Sequence, residues 1–457
     1  MKKLLYTILS IVLILSYSCT EDDLEPTLAQ SKAVETSINT VEDMQGIAYG
    51  MYNRITATSY YGRDLIIYGE VRSDNCFSNG NSGRFVTIGQ MTASPDGAYA
   101  RDSWSAMYAV IASANILIQQ DPAEIEGEAA EINHIQGQAY IARAMAHFDL
   151  VRLFGQQHAG GSLGVPYVTT YKGEDLAPTR QSVDQNKSSI MADIETGLGM
   201  MSADLNDGSK QFITTWAAQA LKARVALYFK DWGTAKSAAQ AVVNSGEYQV
   251  VEGDQYANSW LIDGAVNSVF ELAYSSTDNN NINGLQYMYR GTSYGDVEVL
   301  DDLVTIFDEG DVRLSEEMIG YEGDKLRNMG KYPSLDYSDN ISLIRYEEVL
   351  LILAEAKVEL GENDALTFLN MVPAKRNAAL YDAATKANVL KERRRELCFE
   401  GFRFDDLARN SMGIPVVDEF KQTHGGPAYG NYKFAFPIPN VEINANPNMV
   451  QNSGYAQ

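Results

Sequence analysis

The chain is poor in the residues that catalysis most often uses. Of its 457 residues, 4 are histidine and 3 are cysteine. His134, His147, His158 and His424 form neither an HExxH pattern nor a close pair, so a zinc hydrolase has no ligands to draw on. His134 and His147 fall in one long helical stretch, where a structural role is expected, and His158 falls in a glycine-rich loop. Cys76 and Cys398 lack metal-site spacing and, with Cys19, are too few for a disulfide framework; free or buried thiols are expected. No G-x-S-x-G elbow, Walker A loop or GxGxxG is present, which removes the anchors of acyl-transfer and nucleotide chemistry. Adjacent acids such as Glu347-Glu348 and Asp301-Asp302 are no signature of a glycosidase in a chain with 60 acidic residues. The segments DNNN and SADLNDGS lack EF-hand spacing, and no metal or cofactor is expected.

Positive charge is scarce as well. The formal net charge is -24, which argues against nucleic acid, whose affinity comes from Lys and Arg neutralising phosphates. Long apolar runs are also missing. Leu4 to Leu15 is the longest, well short of the roughly 20 residues a spanning helix needs. With Lys2 and Lys3 ahead of it and Ser16 and Ser18 behind, residues 1–18 have the layout of a signal peptide. The small residues before Cys19, with Leu15 upstream, resemble the lipobox of bacterial lipoproteins, although Ser16 stands where leucine is usual. That resemblance implies that Cys19 becomes the acylated first residue and residues 19–40 an anchor and linker. Several acyl chains would hold firmly, each buried methylene being worth about 0.8 kcal/mol. TEDD, just after Cys19, resembles the acidic surface-export tag of Bacteroidetes lipoproteins, which implies an outward-facing position.

What the sequence has in quantity is helical periodicity. Val41, Met44, Ile47, Ala48, Met51 and Ile55 recur at helical spacings, with Thr40 placed to cap and Asp43 in the first turn. Further helices are expected through SWSAMYAVIASANILIQQ, stopped by Asp121-Pro122, and through EAAEINHIQGQAYIARAMAHFDLVRLFG, closed by Gly155 as a C-cap. Within residues 212–250, Ala217, Ala220, Leu221, Arg224 and Tyr228 line one helix, Asp231-Trp232-Gly233 turns the chain, and Ala235, Ala238, Ala239 and Val242 line a second. Small residues at those positions let two helices approach closely, as in a tetratricopeptide hairpin. Leu350, Ala354 and Ala356, the Gly361 turn, and Ala365, Leu366 and Leu369 repeat the layout.

The stretch LKERRRELCFEGFRFDDLAR, read as one helix, pairs Glu392 with Arg395, Arg393 with Glu396 and Glu400 with Arg403 at a spacing of three. Arg394 shares a face with Leu390, Leu397 and Gly401, which predicts burial beside a carboxylate. An internal ion-pair lattice is favoured over an anion-binding patch, since acids match bases nearly one for one.

The same residues carry a family resemblance. QAYIARAMAHFDLVRLFG, RYEEVLLILAEAKVELG, LKERRRELCFEGFRFDDLAR and the closing FPIPNVEINANPNMVQNSGY, in that order, resemble the SusD/RagB family of Bacteroidetes outer-membrane lipoproteins. The resemblance covers essentially all of residues 41–457. It implies a mostly helical fold with four tetratricopeptide-like hairpins, near 41–120, 124–201, 212–246 and 341–378. An irregular, loop-rich lobe bearing the ligand site is implied mainly at 250–340, with a C-terminal part at 390–457. It implies capture of a glycan, delivered to a SusC-like TonB-dependent transporter, and no enzymatic activity.

Sugars are recognised by flat hydrophobic faces and planar polar groups, which Tyr, Trp, Asn and Arg supply. Tyrosine outnumbers phenylalanine, 27 to 15, and is concentrated in two loops. The first holds Tyr60, Tyr61, Tyr68, Arg72, Asp74, Asn75, Phe77 and Asn81; the second holds Tyr274, Asn279, Asn280, Asn281, Tyr287, Tyr289, Arg290 and Tyr294. From these, Tyr60, Tyr61, Arg72, Asp74, Asn75, Tyr287, Tyr289, Arg290 and Tyr294 are the candidate ligand-binding residues, assigned by region. The bland alternative is that half or more of the tyrosines are local cores, and the alternation in LQYMYRG equally suits a strand with Tyr287 and Tyr289 on one face. Peptide capture by a RagB-like protein is the rival function, and a purely structural lid for the transporter is a third. Labelled palmitate fed to bacteria producing the protein is expected to appear on it, and Cys19→Ala to abolish the label; an unlabelled wild type would refute the anchor.

Overall fold

The structure, a computed structural model, describes residues 38–291 and 294–456. The signal segment, Cys19 and TEDD lie outside the described residues. Helix starts follow local chemistry. The Asp43 N–H donates to Thr40 Oγ1 and the Thr40 N–H to the Asp43 carboxylate, a reciprocal cap that opens α1 (Val41–Ile55). Then come α2 (Asp64–Val71), α3 (Ala98–Ile118), α4 (Ala129–Phe154) and α5 (Val183–Met200). Gly155 does close α4, but in an extended conformation rather than a left-handed one. Thr214 caps α6 (Thr215–Tyr228), and Asp231 caps α7 (Trp232–Ser245). After the five-residue α8 (Leu285–Tyr289) follow α9 (Tyr346–Glu359), α10 (Ala365–Asn370), α11 (Lys386–Leu397) and α12 (Arg403–Arg409).

The longer helices stack as neighbours: α1 on α3, α3 on α4, α4 on α5, α5 on α6, α6 on α7, α7 on α9 and α9 on α10. The fold is mostly helical, with hairpins α1/α3, α4/α5, α6/α7 and α9/α10 in series, each burying its apolar face against the next. Ala235, Ala238, Ala239 and Val242 of α7 are buried, as their spacing predicts. Helix α9 is enclosed over Tyr346 to Lys357, because α6, α7, α10 and α11 all pack on it. The α10 arm is shorter than its counterpart α7, and Pro373 prevents its extension. Three two-stranded antiparallel ribbons lie outside the hairpins: β1 (Cys76–Ser78) with β3 (Val297–Val299), β2 (Ser268–Leu272) with β6 (Ile341–Arg345), and β4 (Ile319–Glu322) with β5 (Lys325–Asn328).

The charged stretch is not one helix. It breaks after Leu397, with Phe399 at φ 70° and Gly401 at φ 87°, and resumes at Arg403. The cause is tertiary: a Cβ on Gly69 would lie 2.0 Å from the Gly401 carbonyl oxygen, so α2 and this turn touch backbone to backbone. Of the pairs expected three residues apart, only Glu392 and Arg395 meet, at 3.8 Å. Arg393 turns instead to Asp406 (2.9 Å) and Arg403 to Asp74 (2.6 Å). Glu396 takes Arg345 (2.8 Å), Arg376 (3.0 Å) and Arg313 (3.1 Å), and Glu400 takes Lys331 and Arg345, both at 2.6 Å. Arg394 is half-buried between Asp302 (3.0 Å) and Asp74 (3.3 Å). The lattice is internal, as expected, but its pairs are long-range.

Burial alone would push the Glu396 carboxyl up, but the guanidiniums of Arg376, Arg345 and Arg313 outweigh it and hold it below the usual carboxylate range. A carboxyl whose pKa falls on folding adds stability above its unfolded value near ~4.3, and that stability is lost as pH drops toward the folded value. The urea midpoint of the wild type is therefore expected to fall below about pH 4. Glu396→Gln should cost about 3–5 kcal/mol at neutral pH, because it leaves buried guanidiniums unpaired. An unchanged midpoint in the variant would contradict this account.

Candidate functional site

The two tyrosine-rich loops, far apart in sequence, form one surface. The β1–β3 ladder sets Cys76 opposite Val299 and Ser78 opposite Val297. Beyond it, Asn79 Nδ2 donates to the Gly295 carbonyl (2.8 Å), Asn81 Nδ2 to the Tyr294 carbonyl (2.6 Å) and Ser82 Oγ to Asp296 (2.6 Å). Arg84 reaches Asn283 Oδ1 at 3.2 Å, and Asn280 Nδ2 donates to the Thr56 carbonyl at 3.0 Å.

Most of the residues singled out from sequence turn out to be the frame of this surface. Tyr60 and Tyr61 are buried and donate to the two oxygens of Asp149, at 2.5 and 3.1 Å. Arg72 is buried over the Phe404 ring at 3.7 Å and donates to the Phe434 carbonyl. Asp74 receives Arg403, and Asn75 accepts from Arg394 Nε while donating to Glu70. Tyr289 is fully buried and donates to the Phe399 carbonyl at 3.2 Å. Each hydroxyl or charge has its partner inside the protein, so these six residues have no free face for a ligand. The strand reading of LQYMYRG is also corrected. It forms the helix α8, on which residues two apart are about 200° apart, so Tyr289 points in and Tyr287 out.

Tyr287, Arg290 and Tyr294 remain at the surface, half-buried. Tyr287 stacks on Tyr337 with ring centroids 5.2 Å apart and planes 27° apart. Tyr294 lies under the Arg84 guanidinium at 3.7 Å, and Arg290 Nε donates to Glu322 at 2.7 Å. Tyr337 was not among the sequence candidates. It sits in the loop YPSLDYSDN with φ at 71°, a left-handed conformation uncommon for tyrosine, and no sequence pattern signals its partnership with Tyr287. Beside the pair is a shallow, open depression whose walls include Gly62, Tyr274, Asn280, Gln286, Tyr337 and Asp339. Burial pushes the Asp339 carboxyl up, although it accepts the Ser334 N–H at 2.6 Å. Among the described residues there is no cluster of three His, Cys, Asp or Glu side chains fit to hold a metal. Flat rings beside amides and carboxylates suit recognition of a polar, ring-shaped ligand.

Comparison with known proteins agrees with this architecture. Residues 307–455 match the profile described as SusD family, and residues 23–227 match that described as starch-binding associating with outer membrane. SusD-like protein P2 of Formosa agariphila is 24% identical over 100% of both chains. The starch-binding protein SusD of Bacteroides thetaiotaomicron is 28% identical over 37% of this chain and 30% of its own length. A putative sugar binding protein from Bacteroides vulgatus superposes with a TM-score of 0.83 at 28% identity, covering 92% of this chain and 100% of that one.

Proposed function

Because this chain belongs to the SusD family, we propose that it is a glycan-capturing outer-membrane lipoprotein, anchored through Cys19 and facing the exterior. It binds an oligo- or polysaccharide and passes it to a SusC-like TonB-dependent transporter, without transforming it. The observation that carries this reading is the stacked, half-exposed Tyr287–Tyr337 pair, where α8 meets the loop at residues 332–340. A pyranose lays its axial C–H face on such a platform, while Asn, Gln and carboxylate groups beside it take the hydroxyls. The starch named for the matched family profile and for the Bacteroides thetaiotaomicron relative supports a glycan over a peptide. Tyr287, Tyr337 and Tyr294 form the proposed contact face. Arg290, held by Glu322, and Arg84, held over Tyr294, set its edge.

The mature protein is expected to be retarded in native gels containing its polysaccharide. Tyr287→Ala or Tyr337→Ala should weaken retention about tenfold or more, the usual loss when a central aromatic contact is truncated. Because Tyr287 is partly exposed, Tyr287→Ala should leave the melting temperature nearly unchanged, whereas Tyr289→Ala should lower it by removing a core ring. No retardation across a broad glycan panel, with capture of peptides instead, would replace this reading.

A further inference from the structure

The helical scaffold carries a second concave surface. Helices α1 and α4 and the segment 205–212 enclose an open cleft of about 210 Å³ whose walls include Gln45, Tyr49, Glu131, His134, Gln138 and Phe212. A neighbouring cleft of about 180 Å³ shares Tyr49 and Phe212 and extends to Thr56 and Asp278. The Thr56 carbonyl accepts from Tyr274 and Asn280, which line the depression beside Tyr337. The two clefts adjoin at Tyr49 and Phe212, and the groove they form borders Thr56, next to the candidate site.

Its platform is aromatic. Tyr49 is 55% exposed, with its ring 5.6 Å from Phe212, and Phe212 in turn meets Tyr52 edge-on at 5.2 Å. Two N–H donors among the groove-lining residues lack acceptors. The Ser202 N–H donates to His134 Nδ1 at 3.2 Å, which puts the proton of the neutral ring on Nε2, and the buried Nε2 has no partner among the described residues. Burial lowers the His134 pKa and so favours that neutral ring. The Ile213 N–H donates to Tyr52 Oη (2.9 Å), so the Tyr52 proton goes to Gln138 Oε1 (3.1 Å), and among the described residues none accepts from the Gln138 NH2. His134 and Gln138 are 5% and 8% exposed, and the enclosed His134 Nε2–H without an acceptor costs about 1–3 kcal/mol. The Gln138 amide, in the cleft wall, is placed to meet a ligand acceptor. Glu131, Asp207 and Asp278 supply acceptors and negative charge, and neither Lys nor Arg lines either cleft.

We propose that this groove is a second saccharide site, selective for neutral hexose units, in which sugar rings stack on Tyr49 and Phe212 while hydroxyls accept from Gln138 and donate to Glu131 and Asp207. The proposal rests on the glycan reading above. Uronate or sulfated sugars are repelled by the three carboxylates, with no basic side chain to receive them. A polymer long enough to occupy both platforms binds the second as an intramolecular step, so each platform strengthens the other.

The test runs the full mature chain in native gels containing laminarin, starch, xylan, mannan or polygalacturonate. In whichever neutral glycan retards the wild type, Tyr49→Ala should weaken retention about fivefold or more, with the melting temperature unchanged, and Tyr49→Trp should restore it. Tyr49→Ala combined with Tyr287→Ala should abolish retention. Wild-type retention that Tyr49→Ala and Phe212→Ala both leave untouched overturns the groove while the glycan reading stands. Retention of the wild type by none of the neutral glycans overturns both, and Tyr49-dependent retention by polygalacturonate overturns the stated selectivity.

Discussion

Two carboxylates at the end of α11 and just beyond it, Glu396 and Glu400, gather the chain around them. Arg345 arrives from the end of β6, Arg376 from the turn after α10, Arg313 from the segment after β3, and Lys331 from the loop after β5. These charges are almost fully enclosed, at side-chain exposures of 0 to 4%. A buried pair of this kind gives little net stability over an apolar replacement, but losing one partner leaves an unpaired charge in low dielectric. Its effect is therefore on register. Segments that carry no regular periodicity are tied to this cluster because their charges need buried carboxylates, which Glu396 and Glu400 supply together with Glu347, Asp311 and Glu392.

The same helix positions the surface proposed to meet the ligand. Arg394 reaches Asn75 and the Asp74 carbonyl, and Arg403, beyond the turn, grips the Asp74 carboxylate. Asn75 in turn donates to Glu70 and accepts the Leu300 N–H. The strands β1 and β3 start and end at these anchored residues, so the seam between the two loops inherits its geometry from the ion lattice. Gly401 belongs to the same device: its left-handed turn lets its N–H reach Glu70 while its backbone rests against α2.

What was legible in the sequence was what is local. Thr40 with Asp43, Thr214, and the alanines of α7 act within a few residues, and helix starts, the hairpin and its buried face follow from them. What was not legible depends on partners brought from afar. Tyrosine has an apolar ring and a polar tip, so a loop tyrosine suits a sugar platform and a core equally. For Tyr60 the question is decided by Asp149, 89 residues away, and for Tyr289 by the Phe399 carbonyl, 110 residues away. Two of the three expected i,i+3 ion pairs failed for the same reason: Arg393 and Arg403 found carboxylates in other segments, Asp406 and Asp74. His134 looked structural, and its Nδ1 is; only the bond from Ser202 shows that the other nitrogen is left over.

Both aromatic platforms stand on rigid supports, which bears on how a passive surface holds a flexible polymer. Tyr287 projects from α8, whose opposite face is locked by the buried Leu285, Met288 and Tyr289. Tyr49 projects from α1, whose other face buries Met44, Ala48, Met51, Tyr52 and Ile55. Neither ring needs its backbone ordered on binding, which removes part of the entropic penalty that a mobile loop would incur. The charge distribution acts in the same direction. Buried basic side chains are matched by buried acids such as Glu396, Glu400, Glu347, Glu348, Glu355 and Asp406, so the interior absorbs little of the chain's acidic excess, which is left to the surface. A neutral glycan meets no repulsion there and an anionic one does.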